Sequence, residues 1–142
     1  MTFYYFEGHG RADPMRQMFE YHGQPYKKVK FRPEDWAAKK ANGEGGEFGG
    51  GLPQAFYTEN GKQFRLSQMG SIMRHFGIRF GYYFPGSEKC VMYADPIVDT
   101  FSDIMSALSK VLFPAQGANQ RALESAYTST ARKYHELVEQ NL

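Results

Sequence analysis

Cysteine is nearly missing from this sequence of 142 residues, which contains only Cys90. A single cysteine excludes an internal disulfide and fits a reducing compartment. Because Cys90 lies beside apolar residues, we expect a buried small hydrophobic side chain rather than a catalytic thiol. The sequence also lacks Cys-x-x-Cys, which argues against a thioredoxin-type redox protein.

Charge of one sign, membrane segments and common site motifs are also lacking. The net charge is +2, from 17 basic and 15 acidic residues, so nucleic acid is not an expected partner. No apolar run is long enough to span a membrane, and no signal peptide is recognisable, so we expect a cytoplasmic protein and leave organelle import open. No nucleotide-binding or zinc-protease motif occurs, and the four histidines lack metal-ligand spacing.

Aromatic residues, in contrast, are plentiful, and with 42% hydrophobic residues they can fill a core. Apolar runs bounded by turn residues predict strands at 2–7, 26–31, 53–58 and 62–66, the last two joined by an Asn60-Gly61 hairpin. Helical spacing predicts helices at 13–22, 33–40 and 68–80. The order βαβαββα predicts an α/β thioredoxin-like domain over residues 1–81, its first two strands parallel and the hairpin antiparallel.

The remaining sequence predicts a connector and two long helices. Residues 82–87 contain Phe-Pro-Gly and are interpreted as a linker, and 88–142 as a partial all-α helical domain. Pro96 should kink the first helix or mark its start. Two helices cannot cover each other's apolar faces, so we expect a further partner from a dimer mate or from additional sequence.

Three features could carry chemistry. Tyr5 precedes a glycine-flanked turn into a helix, where N–H groups can meet an anion and a phenol can donate to a thiolate; the alternative is an ordinary strand aromatic. The Leu52-Pro53 bond could be cis, exposing backbone for pairing with a peptide, although trans is commoner. The carboxylates of Asp95, Asp99 and Asp103 share one helix face, either as a site or as a solvated surface.

Taken together, the motifs resemble a known family. Tyr-Phe-x-x-x-Gly-Arg-Ala, Glu-Asp-Trp, Leu-Pro and Gln-x-x-x-Ile-x-Arg occur in the order seen in cytosolic glutathione S-transferases. The segment Asp-Pro-Ile-Val-Asp-Thr at 95–100 is similar to the helical domain of the sigma class, which includes glutathione-dependent prostaglandin D synthase. The resemblance implies glutathione as co-substrate and a transferase activity, or an isomerase activity of the synthase type.

The resemblance also implies roles for individual residues. Tyr5 matches the tyrosine that hydrogen-bonds the glutathione sulfur, and Arg11 the arginine that supports the turn behind it. Trp36 and Lys40 match the pair that grips the glycine carboxylate. The rest of the implied glutathione site is the backbone at Leu52 and Pro53, the γ-glutamyl contacts Gln68 and Met69, and Asp99 from a partner subunit. The implied electrophile pocket contains Phe6, Met105 and Ser109.

Two residues and the length depart from the family pattern. Met69 stands where the family has a serine that bonds the γ-glutamyl carboxylate; losing that bond would cost about 1.5–3 kcal/mol, although the backbone N–H remains. Ser102 replaces an acid of the synthase metal site, so we expect no metal. The later helices of the family are missing, which indicates either a fragment or a short form.

Two functions are therefore considered. The first is a glutathione transferase that acts on a hydrophobic electrophile, for example in detoxification, as a homodimer with Phe48 as a candidate wedge into the neighbour. The second is a non-catalytic transferase-like subunit of a larger assembly, whose protein partners cover the two helices. Met69 and the missing helices favour the second function, whereas the presence of Tyr5, Arg11, Trp36 and Gln68 favours the first.

Overall fold

The computed structural model describes residues 1–46 and 50–141, which form two compact units, Met1–Phe80 and Gly81–Leu142. Within its described part the first unit has the predicted order of elements, and their ends agree with the predictions to about one residue. Its elements are β1 (Thr2–Phe6), α1 (Asp13–His22), β2 (Lys27–Phe31), α2 (Pro33–Ala41), β3 (Gln54–Glu59), β4 (Lys62–Ser67) and α3 (Met69–Phe80).

The four strands form one mixed sheet in the order β2-β1-β3-β4. β1 runs parallel to β2, and β3 runs antiparallel to both β1 and β4, as predicted. Asn60 and Gly61 both have positive φ angles, 50° and 75°, which suit the tight turn of a hairpin. This is the thioredoxin-like arrangement expected from the sequence.

The register of the sheet brings four chain segments to one edge. Tyr4 pairs with Gln54, Gln54 pairs with Ser67, and Phe6 pairs with Phe31. β1, β2 and β4 therefore end, and β3 begins, at the same edge, which we call the site edge. The candidate residues of the first unit lie at the ends of these strands or in the segments directly connected to them, including α2 and the start of α3.

An aromatic cluster forms the core of the first unit. The ring of Phe19 on α1 is fully buried and lies 5.6 Å from Phe3 and 4.9 Å from Phe76, in edge-to-face arrangements. Such pairs stabilise a core beyond their buried area. α1 ends at Gly23, whose φ of 72° gives the left-handed cap that glycine adopts without strain. The core thus fixes α1 and α3 against β1.

The second unit contains α4 (Asp95–Leu112) and α5 (Gln120–Asn141). A π-helical turn precedes α4, and Pro96 lies in the first turn of α4, so the proline marks the helix start rather than a kink. Cys90 is half-buried and its Sγ accepts the N–H of Phe84 at 3.3 Å, so the expectation of a buried cysteine was wrong. Its apolar sequence neighbours Val91, Met92 and Tyr93 are themselves exposed, so their hydrophobicity did not indicate a buried segment.

The two long helices pack on each other through pairs such as Phe101 and Tyr134, whose ring centroids are 6.4 Å apart. No side chain of α4 is fully buried within the described residues. Across residues 1–46 and 50–141, we find no helix with the length and apolarity needed to span a bilayer. Phe48, the candidate dimer wedge, lies outside the described residues.

Without the Phe19 ring, the first unit should unfold at a lower urea concentration. Phe19→Ala leaves a cavity among aromatic rings, so we expect a loss of about 3–5 kcal/mol in the free energy of unfolding. Tyr21→Ala on the same helix is the control, because Tyr21 is 85% exposed and its loss should change the free energy by less than about 1 kcal/mol. Urea unfolding followed by the fluorescence of Trp36, the single tryptophan, measures both variants. Equal losses would contradict this account of the core.

Candidate functional site

Tyr5 ends in a buried hydroxyl at the site edge. Its side chain is 8% exposed, and its Oη accepts a hydrogen bond from the backbone N–H of Arg11 at 2.9 Å. Burial raises the pKa of the Tyr5 phenol, and the Arg11 N–H only partly offsets this. At neutral pH the phenol therefore keeps its proton. The hydrogen bond that this hydroxyl makes among the described residues is the one from Arg11, in which Oη is the acceptor.

The turn after Tyr5 is organised by Asp13 and Arg16, which the sequence analysis did not identify. The Asp13 carboxylate accepts the Gly10 N–H at 2.7 Å and pairs with Arg16 Nη1 at 3.0 Å. Arg16 Nη1 also donates to the Gly8 carbonyl at 2.8 Å, and its guanidinium carbon lies 5.4 Å from the centre of the Tyr5 ring. The i, i+3 spacing of the acid and the arginine was the signal that could have revealed them.

Trp36 lies on α2, close to the site edge, but its indole points into the protein. The side chain is 4% exposed, and Nε1–H donates to the Gly50 carbonyl at 2.9 Å. This N–H is therefore already used, and it would have to change partner to bind a glycine carboxylate. Lys40, one turn further along α2, is exposed, and its aliphatic stem lies against Gly45.

The γ-glutamyl and cysteinyl candidates also lie at the site edge. The Leu52-Pro53 peptide bond is cis, the less common of the two alternatives considered for it. Gln68 is exposed and has a φ of 70°, a strained conformation for a residue other than glycine that recurs at functional sites. Met69 is the first residue of α3 and is 4% exposed. Its side chain is thus part of the core, and only its backbone N–H can face a ligand at the helix N-terminus.

The electrophile candidates are divided between the two units. Phe6 lies beside Tyr5 in the first unit, with their ring centroids 5.6 Å apart. On α4 of the second unit, Met105 is half-buried, and Ser109, one turn further, is exposed. Asp99 is also exposed on α4. The roles of these three residues of α4 remain predictions.

Solved structures similar to this chain are glutathione S-transferases (GSTs). A Nu-class GST from Haemonchus contortus is 29% identical, with a TM-score of 0.68 over 98% of this chain and 66% of its own. A prostaglandin synthase D of Nilaparvata lugens is 25% identical, with a TM-score of 0.71 over 99% of this chain and 68% of its own. A sigma-class GST from Fasciola hepatica is 20% identical, with a TM-score of 0.73 over 98% and 64%.

No protein-family model and no curated protein matches the chain. The chain spans about two thirds of the length of the solved structures that it matches. Over nearly all of its own length, it has a thioredoxin-like domain followed by helices of an all-α domain. This is the glutathione S-transferase fold, and the resemblance found in the sequence is confirmed.

The protonation state of Tyr5 gives the first test of the site. Because burial raises the pKa of its phenol, we expect Tyr5 to ionise above 10, the ordinary value. The ultraviolet titration of the chain minus that of Tyr5→Phe isolates this phenol. A phenolate that forms near neutral pH would contradict the description of Tyr5 as a hydrogen-bond donor.

Proposed function

We propose that this chain binds glutathione and stabilises its thiolate for transfer to an electrophile. The observation that carries the proposal is the Tyr5 hydroxyl, which is held by the Arg11 N–H and keeps its own proton for a ligand acceptor. A neutral donor aimed at a sulfur favours the thiolate over the thiol, and one pKa unit corresponds to about 1.4 kcal/mol.

Two groups near the site edge suit the two carboxylates of the tripeptide. Glutathione has two carboxylates and one ammonium group. Lys40 offers a cation to the glycine carboxylate, and the N-terminal N–H groups of α3 suit the γ-glutamyl carboxylate. Since Met69 supplies no hydroxyl, we expect an affinity about tenfold to hundredfold below that of a site with serine there.

In the proposed reaction the thiol first loses its proton to solvent. The thiolate sulfur then forms a bond to an electrophilic carbon, and the leaving group departs with its bonding electrons. Tyr5 donates to the sulfur and lowers the pKa of the thiol. The family resemblance assigns contacts with the electrophile to Phe6, Met105 and Ser109. A sigma-like specificity, or an isomerase reaction of the synthase type, is a further proposal within the same chemistry.

The setting that this function implies is a cytoplasmic homodimer. In that dimer Asp99 would reach the γ-glutamyl ammonium of glutathione bound to the partner subunit. The non-catalytic alternative predicts a chain that does not bind glutathione even at millimolar concentration, so retention on immobilised glutathione separates the two.

Replacing Tyr5 by Phe should impair catalysis more than binding. Loss of a hydrogen bond to a charged sulfur costs about 1.5–3 kcal/mol, so the pKa of the thiol of bound glutathione should rise by about one to two units. We expect the conjugation rate at neutral pH to fall about tenfold to hundredfold, with the glutathione KM changed much less. Thiolate absorbance against pH and conjugation kinetics measure these quantities. Full activity in Tyr5→Phe would show that Tyr5 is not the catalytic residue.

Replacing Asp99 by Asn should weaken glutathione binding if the acid pairs with the ammonium group. We expect about a tenfold higher Kd, because a charge-assisted hydrogen bond is lost. Asp103→Asn removes a carboxylate from the same exposed face of α4 and should leave Kd unchanged. The glutathione Kd of each variant is measured by calorimetric titration, at a protein concentration where the chain is dimeric. Equal Kd values in the two variants would rule out the role proposed for Asp99.

A further inference from the structure

The glycine-rich loop between α2 and β3 is tied together by one buried amide. Gln54, the first residue of β3, has no exposed surface. Its Nε2 donates to the carbonyl of Gly45 at 2.8 Å and to the carbonyl of Gly51 at 3.0 Å. A single side chain therefore joins the early and late parts of this loop.

Arg65 on β4 fixes the orientation of that amide. Its Nε and Nη2 donate to Gln54 Oε1 at 3.1 and 2.7 Å, and Nη2 also donates to the Glu44 carbonyl at 3.1 Å. The guanidinium carbon lies 5.1 Å from the centre of the Phe56 ring, which holds the side chain in place. Because the arginine occupies the amide oxygen, the NH₂ group of Gln54 must face the loop.

Close packing of the glycines carries this constraint to the candidate ligand residues. A Cβ at Gly45 would come within 2.9 Å of Lys40 Cγ, so the loop backbone lies directly against the lysine stem. A Cβ at Gly46 would lie 2.0 Å from the guanidinium carbon of Arg65. At the other end of the loop, Gly50 accepts the indole N–H of Trp36. The loop thus contacts both residues assigned to the glycine end of the tripeptide.

We propose that Gln54 and Arg65 are positioning residues for the glycine end of glutathione, acting through the described part of this loop on the Lys40 side chain. The inference rests on the proposed function, since it assumes that glutathione binds at the site edge. Gln54 and Arg65 need not touch the ligand. By holding the segment at Glu44–Gly45 in place they fix the direction of the Lys40 stem, so that less conformational freedom is lost when the carboxylate binds.

The test uses two ligands that differ only in the glycine residue. Arg65→Met removes every hydrogen bond of the guanidinium and keeps an unbranched side chain. Calorimetric titration gives the Kd of glutathione and of γ-glutamylcysteine for each variant. We expect glutathione affinity to fall about tenfold and γ-glutamylcysteine affinity to stay within about twofold, so that the preference for glutathione collapses. Both ligands are measured on the same sample, so an unfolded fraction cancels in the ratio.

Arg79→Met is the matched control. Arg79 also lies over an aromatic ring, 5.3 Å from the centre of Tyr57, and it pairs with Glu59, yet none of its bonds within the described residues reaches the loop. Its replacement should leave both affinities unchanged. A second pair of variants tests the loop while Arg65 is left unchanged. Gly45→Ala should reduce the affinity for glutathione but not for γ-glutamylcysteine. Gly51→Ala should change neither affinity, because a Cβ there meets nothing within 4 Å.

The possible outcomes are distinct. An equal loss for both ligands in Arg65→Met, or an unchanged preference for glutathione, overturns the positioning role and leaves the proposed function intact. An unsubstituted chain that binds neither ligand overturns the proposed function, and this inference with it. A selective loss in Arg65→Met and Gly45→Ala, with both controls unchanged, supports the inference.

Discussion

The pairing of β1 with β3 is the constraint on which the candidate site depends. Tyr4 lies opposite Gln54, and Gln54 lies opposite Ser67, so one register aligns the ends of three strands. A shift of one residue would turn Tyr5 to the other face of the sheet and carry its hydroxyl away from the Arg11 N–H. The aromatic core prevents this shift, because Phe3 must remain packed on Phe19. Core packing and the position of the Tyr5 hydroxyl thus depend on the same register.

Several buried polar groups around the site edge have a defined partner, whereas the buried Nε of Arg16 has none among the described residues. The Tyr5 oxygen accepts from the Arg11 backbone, the Trp36 indole donates to Gly50, and the Gln54 amide bonds on both sides. A buried polar group without a partner costs about 1–3 kcal/mol, so these groups allow few alternative conformations.

Most of the first unit could be predicted from its sequence, because apolar periodicity and turn residues act locally. The strands, the Asn60-Gly61 hairpin and the parallel β1–β2 pair follow from such patterns. The hydrogen bond between Gln54 and Arg65 was missed, because the predicted hairpin brings the two residues near each other but does not give the orientation of their side chains. The use of the Trp36 N–H by Gly50 was missed because α2 and the loop before β3 meet only through tertiary packing. Cys90 was misjudged because apolar neighbours in sequence do not ensure burial.

The first residue of α3 has two structural roles, one for its side chain and one for its backbone. Met69 fills part of the hydrophobic core, while its backbone opens the helix end that suits an anion. A polar residue here would suit a ligand but would vacate space in the core. A Met69→Ser exchange would therefore add a hydroxyl at the N-terminus of α3 and remove apolar contacts from the core of the same domain.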